Sequence, residues 1–426
     1  MANSSKSYEE LHGSNNWDGL LDPMDSDLRN VILSYGDLAS ASERVLNTDP
    51  GSRNVGYSRY GKSTFFQGLT LPSAESKYNV TSFLYATARD DFALPILVHN
   101  SHTLTETSDD YDTNWMGYVA VSNDEYTKSI GRREICVVWR GTARELELVD
   151  DIQEANPVPA DPLLPPKSVT GLIGSDTDQP MVMSGWLIIY TTVNPYSDLV
   201  KTSARTQLWE KIKDLLVKYK GEKISITCTG HSLGASLATL SAFDLAANVV
   251  TPDIMVSAFV FASPQVGNQA FKSKMEELPN LKVMSIKNDN DLVPKWPSKI
   301  LEWIDENTGL VVPDEFMSYV DVGIDLLIDS KWSPFLKKNE HLHDLEIYLH
   351  IVAGYKGKDM FDPEAVEALR GLASVNMTGD FLIDEYQIPL TWWAENNKGM
   401  ALNESGIWVL PPLDWPDHDL SPPNKL

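Results

Sequence analysis

Four short apolar runs recur between residues 133 and 286, and each is followed by a stretch with a different pattern. The runs favour strands because they stay apolar almost throughout; they are Arg133–Trp139, Lys223–Thr229, Ile254–Ala262 and Leu281–Ile286. Apolar residues from Leu208 to Tyr219 recur at helical spacing, and small and apolar residues after Gly230 predict a second helix to about Ala247. Strands that alternate with helices predict an α/β fold, with a mostly parallel central sheet and helices on both faces.

The pattern also divides the chain into three parts of one domain. Residues 1–125 mix polar turns with short helical patterns and predict a helical and loop portion that packs on the core. Residues 126–360 hold the alternating strands and helices of the predicted core. Residues 361–426 are predicted as a C-terminal extension of the same domain, with a tail rich in Pro and Asp.

A long Pro-rich stretch interrupts the predicted core at residues 148–179. Loops of this length inside a compact domain are unusual and are often functional covers, so we predict a lid within this stretch. Its apolar pairs, Leu163-Leu164 and Leu172-Ile173, are expected to be exposed on the loop and to cover an acyl groove in water. A disordered surface insertion without function is the alternative.

The charge balance narrows the possible partners. The chain has 35 Lys and Arg against 60 Asp and Glu, a net charge of −25. This charge disfavours nucleic acid and gives no general attraction to anionic membranes. The longest apolar runs fall short of the roughly 20 residues that span a bilayer.

The cysteines and the two ends of the chain bear on its compartment. Cys136 and Cys228 both lie in predicted strands, so we expect reduced core thiols rather than a disulfide scaffold or a multi-cysteine metal site. The first residues have no apolar signal region, and Glu9 argues against a transit peptide. The predicted address is the cytoplasm; the alternative is the peroxisome, because Asn424-Lys425-Leu426 loosely resembles its Ser-Lys-Leu signal.

The candidate chemistry begins at Gly230–Gly234, with the sequence Gly-His-Ser-Leu-Gly. This pattern is typical of a nucleophile elbow, a sharp turn from strand to helix whose glycines remove Cβ atoms that would clash. Ser232 is therefore the predicted nucleophile, and the amide of Leu233 a predicted oxyanion donor. His231 adjoins the serine, but neighbouring side chains diverge on so tight a turn. We expect it to be a packed or hydrogen-bonded core residue.

An acid is expected after a later strand, because the α/β-hydrolase order along the chain is Ser, acid, His. Asp291 fits this position, in the loop that follows the predicted strand Leu281–Ile286. Asp289 is the competitor, and either carboxylate could instead cap a turn.

Four of the eight histidines follow Asp291: His341, His343, His350 and His418. His418 lies among acidic and Pro residues, where exposure to solvent is expected. His341 or His343 opens the next helix from a loop, and a loop histidine can swing between an acid and a nucleophile. We predict His343 as the base, with His350 on the same helix face as the runner-up.

A second oxyanion donor is expected at the end of an earlier strand. Trp139-Arg140-Gly141-Thr142 is the candidate, because the glycine lets the backbone turn and Thr142 adds a hydroxyl. An ordinary glycine turn is the alternative.

Several of these segments resemble a known family. Val138–Thr142, Thr229–Ala235 and Asp291–Pro294 are similar to the class 3 lipase family of fungal lipases and plant acylhydrolases. His343–His350 and Trp392–Met400 resemble the plant class II phospholipase A1 group. The resemblance spans nearly the whole chain and implies an α/β-hydrolase that cleaves the sn-1 acyl ester of glycerophospholipids without metal or cofactor. It also implies a lipid substrate and peripheral contact with a membrane or lipid-droplet surface.

The resemblance carries over position by position. It implies Ser232 as nucleophile, Asp291 and His343 as its relay, and Thr142 with Leu233 as oxyanion donors. Two departures lie near the predicted lid: Met183 stands where relatives often carry a His, and Leu148 where a Trp is common. Both bear on acyl-chain and head-group preference rather than on the triad.

Two alternative functions share this pattern. The same triad also serves a neutral-lipid lipase that acts on diacylglycerol or monoacylglycerol. A non-catalytic lipase-like interaction protein is the second alternative, but such relatives typically add a large helical C-terminal domain, and the chain beyond His343 is too short for one.

Overall fold

The computed structural model describes residues 6–48, 52, 54–69, 71–89, 111–142, 156–165, 179–298, 318–338, 342–388, 390–391, 393, 401–402 and 408–409. The helices are α1 (Tyr8–Leu11), α2 (Ser26–Arg44), α3 (Phe65–Gly68), α4 (Pro72–Glu75), α5 (Asp124–Ile130), α6 (Ser184–Thr191), α7 (Ala204–Lys218), α8 (Leu233–Asn248), α9 (Gln269–Glu276), α10 (Leu345–Gly354) and α11 (Pro363–Leu369). The strands are β1 (Tyr78–Arg89), β2 (Tyr111–Ser122), β3 (Arg133–Trp139), β4 (Pro157–Pro159), β5 (Met181–Met183), β6 (Ile224–His231), β7 (Met255–Phe261), β8 (Gly267–Asn268), β9 (Leu281–Asn288), β10 (Tyr319–Val320), β11 (Ile324–Ile328), β12 (Tyr355–Gly357), β13 (Met360–Phe361), β14 (Ala401–Leu402) and β15 (Trp408–Val409).

A seven-stranded sheet forms the centre of the described residues, in the order β1-β2-β3-β6-β7-β9-β11. Within this sheet β3, β6, β7, β9 and β11 pair in parallel, whereas β1 and β2 add an antiparallel edge. Parallel strands end at the same edge of a sheet, so β3, β6, β7 and β9 all finish at what we call the carboxyl edge. The predicted α/β fold class with a mostly parallel sheet is confirmed.

The side chains of each strand enter two hydrophobic cores, one on each face of the sheet, because successive side chains point to opposite faces. On one face, residues such as Val137 and Ile226 pack with α6, α7 and α8. On the other face, residues such as Val138 and Phe259 pack with α2 and α10. Helices therefore cover both faces, which explains why the strands stay apolar almost throughout.

The structure also bears on two expectations that were drawn from composition. Cys136 and Cys228 are both buried free thiols, and they lie on opposite faces of the sheet. Within the described ranges, no helix combines the length and the apolar character that a membrane span requires.

The N-terminal portion differs from the helical and loop character that we predicted for it. It contributes β1 and β2, which pair with each other along their whole length. The pairing register shifts between Val80 and Ser82 and again between Leu84 and Tyr85. Such bulges break the two-residue alternation by which a half-buried strand is recognised in sequence, so the hydrophobic pattern concealed both strands.

Part of the predicted lid is packed into the fold. Residues 157–159 form β4, which joins a four-stranded sheet in the order β10-β8-β5-β4. A 3-10 helix follows at Asp161–Leu163, and Leu163 is fully buried against the α8 side of the core. Asn248 Nδ2 of α8 also donates to the Leu163 carbonyl at 2.8 Å. The expectation that Leu163 is exposed on the loop is therefore wrong, because α8 provides an apolar surface for it.

The remainder of that prediction lies outside the described residues. Residues 148–155 and 166–178 are among those that the structure does not describe, and they include the Leu172-Ile173 pair. A lid in these two segments stays a prediction.

Emptying the Leu163 site tests this packing. Leu163→Ala is expected to lower the free energy of unfolding by about 2–5 kcal/mol, the usual cost of truncating a buried leucine. Urea denaturation measures it. Val217→Ala is the control, because Val217 is 76% exposed on α7 and surface substitutions usually stay within about 0.5 kcal/mol. Equal effects of the two substitutions would contradict the burial of Leu163.

Candidate active site

The turn between β6 and α8 places Ser232 at the carboxyl edge. Ser232 has φ 57° and ψ −126°, a left-handed backbone conformation for a residue with a Cβ atom. Such a conformation costs of order 1–3 kcal/mol and persists only where the surrounding structure holds it. Here the Ser232 amide donates to the Phe261 carbonyl of β7 at 2.9 Å.

The two glycines of the turn lie against backbone that leaves no room for a side chain. A Cβ atom on Gly230 would lie 2.4 Å from the Gly234 carbonyl oxygen, and one on Gly234 would lie 2.4 Å from the Trp139 carbonyl oxygen. Real Cβ atoms do not approach backbone so closely. The elbow pattern therefore follows from the close approach of this turn to the end of β3.

The structure brings Ser232, His343 and Asp291 into one chain of hydrogen bonds. The Ser232 hydroxyl lies 2.8 Å from His343 Nε2, and His343 Nδ1 lies 2.7 Å from Asp291 Oδ2. Asp291 follows β9 and is 3% exposed, whereas His343 precedes α10 from a loop. With Nδ1 donating to the carboxylate, Nε2 is free of its proton and can accept the serine hydroxyl proton.

Further donors hold the Asp291 carboxylate. The Tyr348 hydroxyl donates to Oδ2 at 2.6 Å, and the Val293 amide donates to Oδ1 at 2.9 Å. The backbone N–H of Asn288 donates in turn to the Tyr348 hydroxyl at 3.2 Å. Burial and the negative charge of Asp291 raise the pKa of Tyr348 well above its usual range, so this hydroxyl keeps the proton that it donates.

Tyr348 is not among the site residues that the sequence predicted. Its place five residues after His343 puts it on α10, buried, with its hydroxyl beside Asp291. A signal was present, because a buried tyrosine usually needs a partner for its hydroxyl. Which partner it finds depends on how α10 packs against the end of β9.

The competing residues occupy other environments. Asp289 is exposed, and its carbonyl rather than its carboxylate accepts from Lys295. His350 is 1% exposed and lies 2.7 Å from the Ser333 hydroxyl through Nε2. Burial and the nearby positive charge of Arg370 lower the pKa of His350 to about 3. His341 and His418 lie outside the described residues.

His231 packs beneath the base. Its ring centroid lies 4.7 Å from that of His343, with the rings tilted by 34°. Its Nδ1 lies 2.7 Å from Glu43 Oε1 at the end of α2. The expectation of a packed and hydrogen-bonded histidine agrees with this contact, but the sequence contained no signal that Glu43 would be the partner.

The Gly141–Thr142 peptide lies beside the serine. A Cβ atom on Gly141 would lie 3.7 Å from Ser232 Cβ and 3.1 Å from the His231 carbonyl oxygen. Leu233 is the first residue of α8, where backbone amides have no acceptor within the helix. The Gly141 backbone and the first residue of α8 therefore both lie next to Ser232, and the amides of Thr142 and Leu233 stay the predicted oxyanion donors.

Comparison with known proteins finds relatives that match nearly the whole chain. It is 42% identical to Phospholipase A1-IIdelta of Arabidopsis thaliana, over 97% of this chain and 98% of that protein. It is 39% identical to Phospholipase A1-II 5 of Oryza sativa subsp. indica, over 95% of this chain and 83% of that protein. Residues 136–300 match the family described as lipase (class 3), a span that contains Ser232 and Asp291.

A solved structure was also found. Lip2 lipase from Yarrowia lipolytica superposes with a TM-score of 0.44 at 17% identity, over 80% of this chain and 96% of that chain. The curated relatives, rather than this superposition, establish the family.

The environment of His350 predicts a pH dependence of stability. In the unfolded chain a histidine takes up a proton near pH 6.5, whereas the folded pKa of His350 is lowered to about 3. Protons therefore favour the unfolded state as pH falls below 6.5, and His350 alone is expected to cost about 2 kcal/mol between pH 7 and pH 5.

Urea denaturation of wild type and His350→Gln at both pH values measures this term. Glutamine cannot take up the proton, so the loss of stability from pH 7 to pH 5 should be about 2 kcal/mol smaller in the variant. The same loss in both proteins would show that His350 is not buried as a neutral ring.

Proposed function

This chain belongs to the plant phospholipase A1-II family of class 3 lipases, and we propose that it cleaves the sn-1 acyl ester of glycerophospholipids through a covalent acyl-enzyme. The observation that carries the proposal is the continuous hydrogen-bonded chain from Ser232 through His343 to Asp291. The names of the relatives supply the substrate class, phospholipid, and the bond.

Acylation begins when His343 Nε2 takes the proton of Ser232 as Oγ attacks the ester carbonyl. Asp291 holds the imidazole in the tautomer with its proton on Nδ1 and stabilises the imidazolium that forms. The 2.8 Å and 2.7 Å contacts of His343 support these roles without any rearrangement of side chains.

The tetrahedral intermediate carries a negative charge on the former carbonyl oxygen. In our proposal the amides of Leu233 and Thr142 donate to it, and the amino end of α8 adds a favourable dipole. The proximity of the Gly141 backbone to Ser232 supports the second donor.

Collapse of the intermediate releases the lysophospholipid. His343 gives its proton to the leaving alkoxide, and the acyl group remains on Ser232 Oγ as an ester. A water molecule then attacks that ester with His343 again as base, and the fatty acid departs. No step of this scheme requires a metal or a cofactor.

We also propose peripheral contact between the carboxyl edge and a membrane or lipid-droplet surface. Leu292, next to Asp291, is 62% exposed, and Tyr196 is 64% exposed. Because β2 runs antiparallel to β3, its first residues lie at the carboxyl edge. Asn194, in the turn that holds Tyr196, donates to Thr113 of β2, so this turn lies at the same edge. With a net charge of −25, electrostatics do not draw the protein to anionic lipid, so apolar burial at roughly 25 cal/mol per Å² is the source of attraction.

The division into residues 1–125, 126–360 and 361–426 and the cytoplasmic address remain predictions. The division is supported by the ranges over which the sequence pattern changes, although strands from the first part complete the central sheet.

Removing the nucleophile tests the chemistry. Ser232→Ala and His343→Ala are each expected to lower kcat on a dissolved short-chain ester by on the order of 10⁴–10⁶, as for other triads. Ser236→Ala is the matched control, because this buried serine lies one turn further along α8, and His350→Gln is the control for the base. Both controls should retain activity. If Ser232→Ala kept even about a tenth of wild-type kcat, the nucleophile would be another group.

The products of a mixed-chain phospholipid test the substrate class. With different acyl chains at the two positions, we expect release of the sn-1 chain and accumulation of the lysophospholipid that retains the sn-2 chain. Mass spectrometry of early products distinguishes them. A diacylglycerol with the same two chains is the control substrate. Release of the sn-2 chain first would contradict the proposed bond, and faster hydrolysis of the diacylglycerol would favour a neutral-lipid lipase.

A further inference from the structure

A buried arginine precedes the Gly141–Thr142 turn and contacts the backbone of that turn. Arg140 is 1% exposed, and its Nη1 donates to the Gly141 carbonyl oxygen at 2.7 Å. Its Nε donates to the Trp115 carbonyl at 3.2 Å, and Nη2 lies 3.3 Å from Met116 Sδ. Burying a guanidinium is costly even with partners, so its position directly behind the turn needs a reason beyond packing.

The sheet order determines in which direction Arg140 holds the turn. β3 lies between β2 and β6. Trp115 and Met116, which the guanidinium contacts, belong to β2, whereas Ser232 follows β6. The hydrogen bond from Arg140 therefore directs the Gly141 carbonyl toward the β2 side, away from the serine.

The geometry of the peptide bond then directs the next amide. The Gly141–Thr142 bond is trans, since the cis bonds among the described residues are those before Pro23 and Pro297. In a planar trans peptide the C=O of one residue and the N–H of the next point in opposite directions. A Gly141 carbonyl held on the β2 side therefore turns the Thr142 N–H to the β6 side, where Ser232 lies.

A carboxylate supplies the compensating charge for the arginine. Burial lowers the pKa of Arg140 to about 10, and the negative charge of Glu43 opposes that shift. The guanidinium therefore stays charged at neutral pH. Glu43 Oε1 would lie 3.3 Å from a Cβ atom on Gly141, and the same oxygen contacts His231 Nδ1. The end of α2 thus contacts both the turn and the histidine beneath the base.

We propose that Arg140 is a positioning residue that fixes the Gly141–Thr142 peptide, so that the Thr142 amide is aimed at the oxyanion before substrate binds. The inference rests on the proposed function, because it assigns a cause to one of the two oxyanion donors. A donor oriented in advance stabilises charge as it develops and costs no reorganisation at the moment of reaction. Lysine carries the same charge but lacks the fork of donors that reaches Gly141, Trp115 and Met116 together.

The test separates binding of the oxyanion from binding of the acyl chain. Arg140→Lys and Arg140→Met are compared with Arg132→Lys, a matched control at the opposite end of β3. Arg132 is 9% exposed and contacts Ser225 and Glu134. For each variant, kcat and KM are measured on a dissolved short-chain ester, together with the melting temperature.

Two inhibitors with the same alkyl chain supply the second measurement. In a trifluoromethyl ketone, Ser232 Oγ adds to the carbonyl carbon, the π electron pair moves to the oxygen, and the serine proton passes to His343. The resulting hemiketal oxyanion occupies the site that the Thr142 amide would face. The corresponding secondary alcohol has no carbonyl carbon for Ser232 to attack and therefore reports binding of the chain alone.

We expect Arg140→Lys to lower kcat at least about tenfold, towards the 10²–10³ that loss of a whole oxyanion donor costs, with little change in KM. Affinity for the ketone should fall by a similar factor while affinity for the alcohol is retained. Arg132→Lys should lower the melting temperature without changing the ratio of the two affinities. Arg140→Lys decides the question, because it keeps the buried charge and most of the stem, whereas Arg140→Met removes the charge as well as the donors.

Two results would overturn the inference. One is an Arg140→Lys enzyme with wild-type kcat and wild-type ketone affinity. The other is a loss of activity that Arg132→Lys reproduces, with an unchanged ratio of ketone to alcohol affinity, since a merely structural role predicts that result. The dissolved ester makes this test independent of lipid preference. A wild type that hydrolyses it through Ser232 but fails the mixed-chain phospholipid assay would overturn the proposed substrate and leave the role of Arg140 standing.

Discussion

The close approach of the serine elbow to the end of β3 governs the arrangement of the site. A Cβ atom on Gly230 would lie 2.8 Å from the Trp139 carbonyl oxygen, and one on Gly234 would lie 2.8 Å from the Arg140 carbonyl carbon. This contact requires glycine at both positions and brings the Gly141 backbone to the side of Ser232. A single packing contact between neighbouring parallel strands thus places the nucleophile beside one of its proposed oxyanion donors, and it helps to hold Ser232 in its left-handed conformation.

The acid and the base reach the serine from separate elements that need support of their own. The Asp344 side chain caps α10 directly after His343, and the Thr378 hydroxyl donates to that carboxylate at 3.0 Å. Arg370 donates at 2.6 Å to both Glu346 of α10 and Asp37 of α2. Breaking such a buried network leaves charges uncompensated, which is strongly unfavourable. Helix α2 and the C-terminal extension therefore both help to position the loop that carries His343.

Several features could not be read from the pattern, for identifiable reasons. β1 and β2 were hidden because bulges break their alternation. Leu163 looked exposed because a Pro-rich stretch contains no sign that α8 will cover it. Tyr348 looked like an ordinary apolar position, since its hydroxyl finds Asp291 only when α10 packs across the end of β9. For Leu163 and Tyr348 the missing information is a contact with a residue far along the chain.

The sequence by itself determined the α/β class, the four strands β3, β6, β7 and β9, the elbow at Ser232 and short lists of candidate acids and bases. These features depend on neighbouring residues, since hydrophobic periodicity and the need for glycine in a tight turn are local constraints. The tertiary structure decided which candidates meet. His343 lies 52 residues from Asp291 and 111 from Ser232 along the chain, and Glu43 lies 188 residues from His231. Contacts over such separations depend on how helices pack on the sheet, which no local pattern encodes.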